Sequence, residues 1–270
     1  MELSGAVGIL TGASRGLGVH IAEALAARGV HLALAARTEE GLAVTAGRLS
    51  RFRTKVLTVP TDVTVASQLE ELVRRTTAEL GSPDLLVNNA GIETIARFET
   101  FDLDTIDAIV RTNLIAAEQL TRLVVPGMIQ RRRGHVLNVS SAAAKTGLPF
   151  YSVYASSKHG LVGFSWSLRT ELRKHGIGVS VICPSFVSDT GMYADRSGNK
   201  KPPRSVATVG APEVAARAVR LIEADKAEAI VGRGLARIAD VFFALSPDFA
   251  MKVTTRVGVD DFIASTLSED

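Results

Sequence analysis

The chain has 270 residues, of which 46% are apolar, and its 31 basic and 28 acidic side chains leave a net charge of +3. A chain this long buries enough surface to fold without staples, and a lone cysteine, Cys183, excludes an internal disulfide and suits a reducing, cytoplasmic setting. Near-balanced charge, 5% aromatic content and five scattered histidines exclude a nucleic-acid stripe and a metal-ligand cluster, and no transmembrane window or signal-peptide core is expected.

The first apolar run, Val7–Leu10, predicts a strand, and Leu17, Ile21 and Leu25 recur at helical spacing after it. Between them lies TGASRGLG, residues 11–18. Gly12, Gly16 and Gly18 let such a loop turn sharply and approach a pyrophosphate, whose charge a helix N-terminus favours. The second strand, Leu32–Ala36, ends at Arg37, where an acid would hold the ribose 2′-hydroxyl of NAD. With no acid before Glu39, Arg37 and Arg15 can clamp a 2′-phosphate, which favours NADP over NAD.

Lys55–Val59 predicts the third strand, Leu69, Leu72, Val73 and Leu80 the next helix, and Leu85–Asn88 the fourth strand, which runs into NNAG (Asn88–Gly91). Asn113 interrupts the apolar stripe Ile106, Ile109, Val110, Ala117, Leu120. A polar residue there must find partners, and a helix-packing hydrogen bond is the plain explanation. Arg131-Arg132-Arg133 reads as a solvated loop ahead of the fifth strand, His135–Val139. That strand leads into Ser140-Ser141, placing hydroxyls at a carboxyl strand end, where open α/β sheets bind ligands.

PFYSVYASSK, residues 149–158, sets Tyr154 and Lys158 four apart, on one helix face. A free phenol has a pKa of about 10, and a cation within about 4–6 Å lowers it. The pair is therefore a candidate device for moving a proton between an alcohol and a ketone. Tyr151 lies two turns from Lys158, roughly 10 Å away, and suits a pocket wall beside Phe150. Val179–Cys183 is the sixth strand, with Cys183 a small buried hydrophobe, and Ala229–Val231 the seventh. Phe150, Tyr151, Phe186, Met192 and Tyr193 outline an apolar substrate pocket. Asp195–Ser205, polar and rich in Gly, Pro and Lys, reads as a mobile loop. Leu235, Ile238, Phe242 and Leu245 form an apolar helical stripe, ranked as core or subunit interface, then substrate lid, then membrane-surface contact.

Strands alternating with helices, joined by right-handed crossovers, predict the α/β class: a Rossmann-type, doubly wound, three-layer αβα fold with about seven mainly parallel strands. One domain is expected over 1–270, with a substrate loop at about 185–211 and a C-terminal helical extension at about 234–270.

TGASRGLG, NNAG, the Asn113 position, the serine pair and YASSK stand in register, and together they resemble the short-chain dehydrogenase/reductases over about residues 5–192. The resemblance implies a tetrad: Tyr154 as general acid/base, Lys158 lowering its pKa and holding the nicotinamide ribose, Ser141 orienting substrate, and Asn113 anchoring a water in the proton relay. It also implies cofactor contacts from Ser14, Leu17 and the loop glycines, from Asp62 and Val63, from Asn89, Ala90 and Gly91, and from Pro184, Val187 and Thr190. The sequence departs from the family after strand six: Ser185 follows Pro184 where glycine is common, and Thr190 comes one residue late. Ser188 and Thr190 remain alternatives for the nicotinamide contact. The implied function is reversible, NADPH-linked reduction of a hydrophobic ketone or aldehyde by a homo-oligomer, dimeric or tetrameric. The alternative is a non-catalytic, NADP-sensing Rossmann protein, which could dispense with the tetrad; here the tetrad is complete.

Overall fold

A computed structural model describes residues 1–197, 208–232, 245–256 and 258–266. In chain order, β1 (Val7–Thr11), α1 (Leu17–Ala26), β2 (His31–Ala36), α2 (Glu39–Leu49), β3 (Val56–Pro60), α3 (Ala66–Glu79) and β4 (Leu85–Asn88) form the first half. The second half holds α4 (Leu103–Val110), α5 (Ala116–Arg131), β5 (Gly134–Val139), α6 (Ser152–Leu172), β6 (Ile177–Pro184), β7 (Phe186–Val187), α7 (Met192–Ser197), β8 (Thr208–Val209), α8 (Ala211–Glu223) and β9 (Glu228–Val231). Two helices, α9 (Pro247–Arg256) and α10 (Val259–Ala264), follow.

Seven strands form one parallel sheet in the order β3-β2-β1-β4-β5-β6-β9. The chain direction across the sheet reverses between β1 and β4, and ligands of such sheets bind outside the carboxyl strand ends at that point. All seven predicted strands are present, within two residues at either end. The short β7–β8 pair, parallel and separate from the main sheet, was not predicted.

The strands read as continuous apolar runs because both faces are covered. Side chains alternate across the sheet: Leu32, Leu34 and Ala36 of β2 join Ile21 and Leu25 of α1 and Val214 and Ile222 of α8 on one side. Ala33 and Ala35 join Leu69 and Leu72 of α3 and Leu120 and Met128 of α5 on the other. Burying each such leucine contributes about 2 kcal/mol, so the layers are fixed by the same residues that reveal the periodicity. Cys183 is buried in the core.

The continuous stripe expected over 106–120 is broken by a π-helical turn, Arg111–Ile115, between α4 and α5. The turn widens the helix and carries Asn113, which is fully buried. Arg131 closes α5, and the arginine run is not merely solvated: Arg131 Nη2 donates to the Pro83 carbonyl (2.6 Å), and Arg131 and Arg133 flank Asp84. Leu235, Ile238 and Phe242 lie outside the described residues; Leu245 is 79% exposed, so it is not core. Among the described residues no helix is long and apolar enough to cross a membrane.

Candidate active site

The β1–α1 loop takes its shape from glycine. Gly12 and Gly16 sit at φ +65° and +60°. A Cβ on Gly18 would stand 2.1 Å from the Gly12 carbonyl oxygen, and one on Gly12 2.9 Å from Ala90 Cα, so neither position accepts a side chain. Asn89 stitches the loop from the far side. Its Nδ2 donates to the carbonyls of Thr11 (2.9 Å) and Gly12 (3.1 Å), while Thr11 Oγ1 accepts from the Asn89 and Ala90 amides. The start of α1 is thereby left on the wall of a cleft.

That cleft, about 660 Å³, follows the carboxyl ends of the parallel strands, and every sequence-predicted cofactor position lies on its wall. Arg37 is exposed at the end of β2. Arg15 is exposed too, but its Nη1 is engaged by Asp195 Oδ2 of α7 at 2.7 Å. Asp62 turns its carboxylate to the Thr64 hydroxyl and amide, which hold its pKa below the usual range. Thr190 is on the wall; Ser188 is not, and its amide is spent on the Val209 carbonyl (3.1 Å). The glycine cradle, the helix N-terminus and the basic border fit a dinucleotide carrying phosphates.

Tyr154 and Lys158 project from α6 into the same cleft, both nearly buried. A chain of polar groups holds α6 against the sheet. Asn88 Nδ2 donates to Asn138 Oδ1 (2.8 Å) and Asn138 Nδ2 to Ser165 Oγ (2.8 Å). The two serines after β5 divide their work: Ser140 Oγ donates to the Lys158 carbonyl (2.9 Å), whereas Ser141 Oγ accepts from the Ala143 amide (3.1 Å) and acts on the Tyr154 hydroxyl so as to lower its pKa. Asn113 accepts at Oδ1 from the Ile92 amide (2.8 Å) and donates to the Ile92 carbonyl (2.9 Å) and Ser157 Oγ (3.1 Å). Asn113 therefore stands behind the wall and not on it, pinning the segment after β4; its packing bonds are the ones elementary chemistry demanded.

The electrostatics correct one expectation. Burial pushes the Tyr154 pKa up, the negative charge of Glu93 adds to the rise, and the Ser141 hydrogen bond only partly opposes it. Lys158 is brought down to about 8, chiefly by its own burial. Its Nζ lies 5.8 Å from the Tyr154 ring centroid and donates to the Val139 carbonyl (3.0 Å). Desolvation disfavours both charged forms, so Tyr154 is a protonated phenol at neutral pH.

Around Tyr154 the same cleft has an apolar part, the chamber, walled by Tyr151, Phe186, Met192 and Tyr193. Phe150 packs behind it, partly buried at φ +67°, against the Tyr151–Tyr154 cluster; it is not a wall residue. Four wall or support residues, Glu93, Asp195, Arg196 and Val259, escaped the sequence reading. Glu93, just past NNAG, lines the chamber; an acid at a carboxyl strand end was a usable signal. Arg196 and Asp195 were assigned to a mobile loop, yet they belong to the last turn of α7 and are paired. Val259 of α10 folds back onto the chamber and packs with Ile263 against both tyrosines, a contact without local signature.

The short chain dehydrogenase family model matches residues 6–201. The ketoacyl reductase HetN of Nostoc sp. is 38% identical over 266 residues, 96% of this chain and 92% of that reductase. The 3-oxoacyl-acyl-carrier-protein reductase of Escherichia coli is 31% identical, with 87% and 96% covered. Among solved structures, an actinorhodin polyketide ketoreductase with NADPH superposes with a TM-score of 0.78 at 30% identity, over 87% of this chain and 98% of that one. Motifs, topology and relatives agree: the chain belongs to the short-chain dehydrogenase/reductases, oxidoreductases that interconvert carbonyl and alcohol groups.

Proposed function

We propose that the protein reduces the ketone carbonyl of a largely apolar, ketoacyl-like substrate, drawing hydride from NADPH. The observation that carries this reading is a phenol held protonated at the junction of cofactor cleft and apolar chamber. A protonated phenol is the form that gives a proton to a carbonyl oxygen as negative charge develops there.

The glycine loop and the start of α1 would hold the pyrophosphate, Arg37 and Arg15 the 2′-phosphate, and Lys158 the nicotinamide ribose. When bound, the cofactor supplies a hydride for the carbonyl carbon. Ser141, on the cleft wall with Tyr154, orients the substrate oxygen. Tyr154 delivers the proton to that oxygen. Lys158, with a pKa near neutrality at about 8, is suited to restore it. Asn113 serves by fixing Ile92 and α6 rather than by touching substrate. The names of the relatives, ketoacyl and polyketide ketoreductases, point the same way.

The test is Tyr154→Phe, followed by NADPH absorbance across a panel of β-keto esters and ketones. NADPH binding is expected to survive, and turnover to fall by about 10²–10⁴-fold. Turnover at the wild-type rate would remove Tyr154 from the mechanism.

A further inference from the structure

Glu93 is an anomaly in a chamber otherwise built for apolar substrate. It stands on the wall with its side chain 9% exposed. A carboxylate withdrawn from water is costly unless paired, and the pairing is one-sided. Oε1 accepts from Arg196 Nη1, while Oε2 has no hydrogen-bond donor among the described residues. Arg196 is not on the wall. It reaches Glu93 from behind, with Nη2 donating to the Tyr151 hydroxyl (2.8 Å) and its guanidinium over the Tyr151 and Tyr193 rings at 5.8 and 5.9 Å. Of this ion pair, Glu93 is the member that lines the chamber, while Arg196 is engaged by Glu93 and Tyr151. The other nearby cation, Lys158, is turned to the Val139 carbonyl.

We propose that Glu93 determines specificity: braced by Arg196, its carboxylate gives the chamber an acceptor wall that admits neutral carbonyl substrates bearing an ester, thioester or hydrogen-bond donor and turns away free keto acids. An anion brought to this wall would face like charge in a medium of low polarity, where such repulsion is strong. A donor group would instead complete the unfilled hydrogen bonding of Oε2. Arg196 is a positioning residue, fixing the carboxylate and the Tyr151 hydroxyl together. The influence of Glu93 on Tyr154 and Lys158 places its charge within reach of the reacting groups.

This inference rests on the carbonyl-reductase reading, but its test does not need turnover. Ethyl acetoacetate and acetoacetate, matched except for charge, are titrated calorimetrically into NADPH-saturated Tyr154→Phe protein, with and without Glu93→Gln. With Glu93 present the ester is expected to bind at least about tenfold tighter than the acid. In Glu93→Gln, which keeps the shape and the hydrogen bond to Arg196, the ratio is expected to fall to within about twofold, through gained affinity for the acid. A ratio unchanged by the substitution would make the pair a mere tether for α7 and overturn the proposal. Preference for the acid while Glu93 is present, or binding of neither probe, would also reject it. The carbonyl-reductase reading fails separately, if protein with Tyr154 intact turns over no ketone.

Discussion

Withdrawing a phenol and an ammonium from water moves their pKa values in opposite directions, and both shifts favour the neutral form. Spacing alone predicts attraction between Tyr154 and Lys158; burial decides the protonation state in which they wait. The proposed preference for NADP rests on the same residue-level logic. Arg37 stands exposed at the end of β2, which ends without an acid, and among the described residues Arg15 is held by the exposed carboxylate of Asp195. Exposed pairs of this kind contribute about 0–1 kcal/mol, so a 2′-phosphate can displace Asp195 at little cost. Replacing Ala36 by Asp together with Arg37 by Ile should shift the NADPH/NADH ratio of kcat/KM toward NADH by about 10–100-fold, the loss of one charge-assisted hydrogen bond. A ratio that stayed put would remove Arg37 from the assignment.

At the scale of elements, the position of Tyr154 and Lys158 depends on how α6 is seated. The face shared by Tyr154 and Lys158 follows from sequence, but the seating of the helix on the sheet is tied by the buried chain Asn88–Asn138–Ser165. Removing the central member takes one hydrogen bond from each of two buried groups, Asn88, which keeps Thr121, and Ser165, which keeps the Leu161 carbonyl. Asn138→Ala should cost about 1–3 kcal/mol in denaturant unfolding and reduce kcat more than NADPH affinity; a variant within about 0.5 kcal/mol of wild type would show that the chain is not a tether. The α4–α5 region is the counterpart in which element boundaries were not legible. A 3.6-residue pattern carries no mark of an inserted residue, and the π-helical turn exists because Asn113 finds its partners at Ile92 and Ser157.

The whole molecule carries a titratable group far from the cleft, at the amino ends of β5 and β6. His135 is 1% exposed, and Gly178 opposite it is a glycine because a Cβ there would lie 2.3 Å from the His135 ring. Ser180 gives its hydrogen to the Lys226 carbonyl (2.6 Å), so it accepts from His135 Nε2 (2.8 Å) and sets a proton on that ring nitrogen. Burial lowers the pKa from 6.5 to about 4. Between these values the unfolded chain holds a proton that the native chain refuses. Stability is therefore complete above about pH 6.5 and falls as the pH drops toward about 4, by about 3 kcal/mol in all. His135→Asn should flatten the pH dependence of the unfolding free energy over that window; equal slopes in the two proteins would refute the assignment.

The alternation of strands and helices, the glycine loop and the placing of Tyr154, one turn from Lys158 on the same helix, were determined by sequence alone, because each rests on spacings of a few residues that periodicity and φ preference make legible. Glu93 with Arg196, separated by 103 residues, was decided only by tertiary structure, as were Val259 returning to the chamber and the upward shift of Tyr154. All three come from long-range packing and desolvation, which depend on what surrounds a group in space and not on its neighbours along the chain.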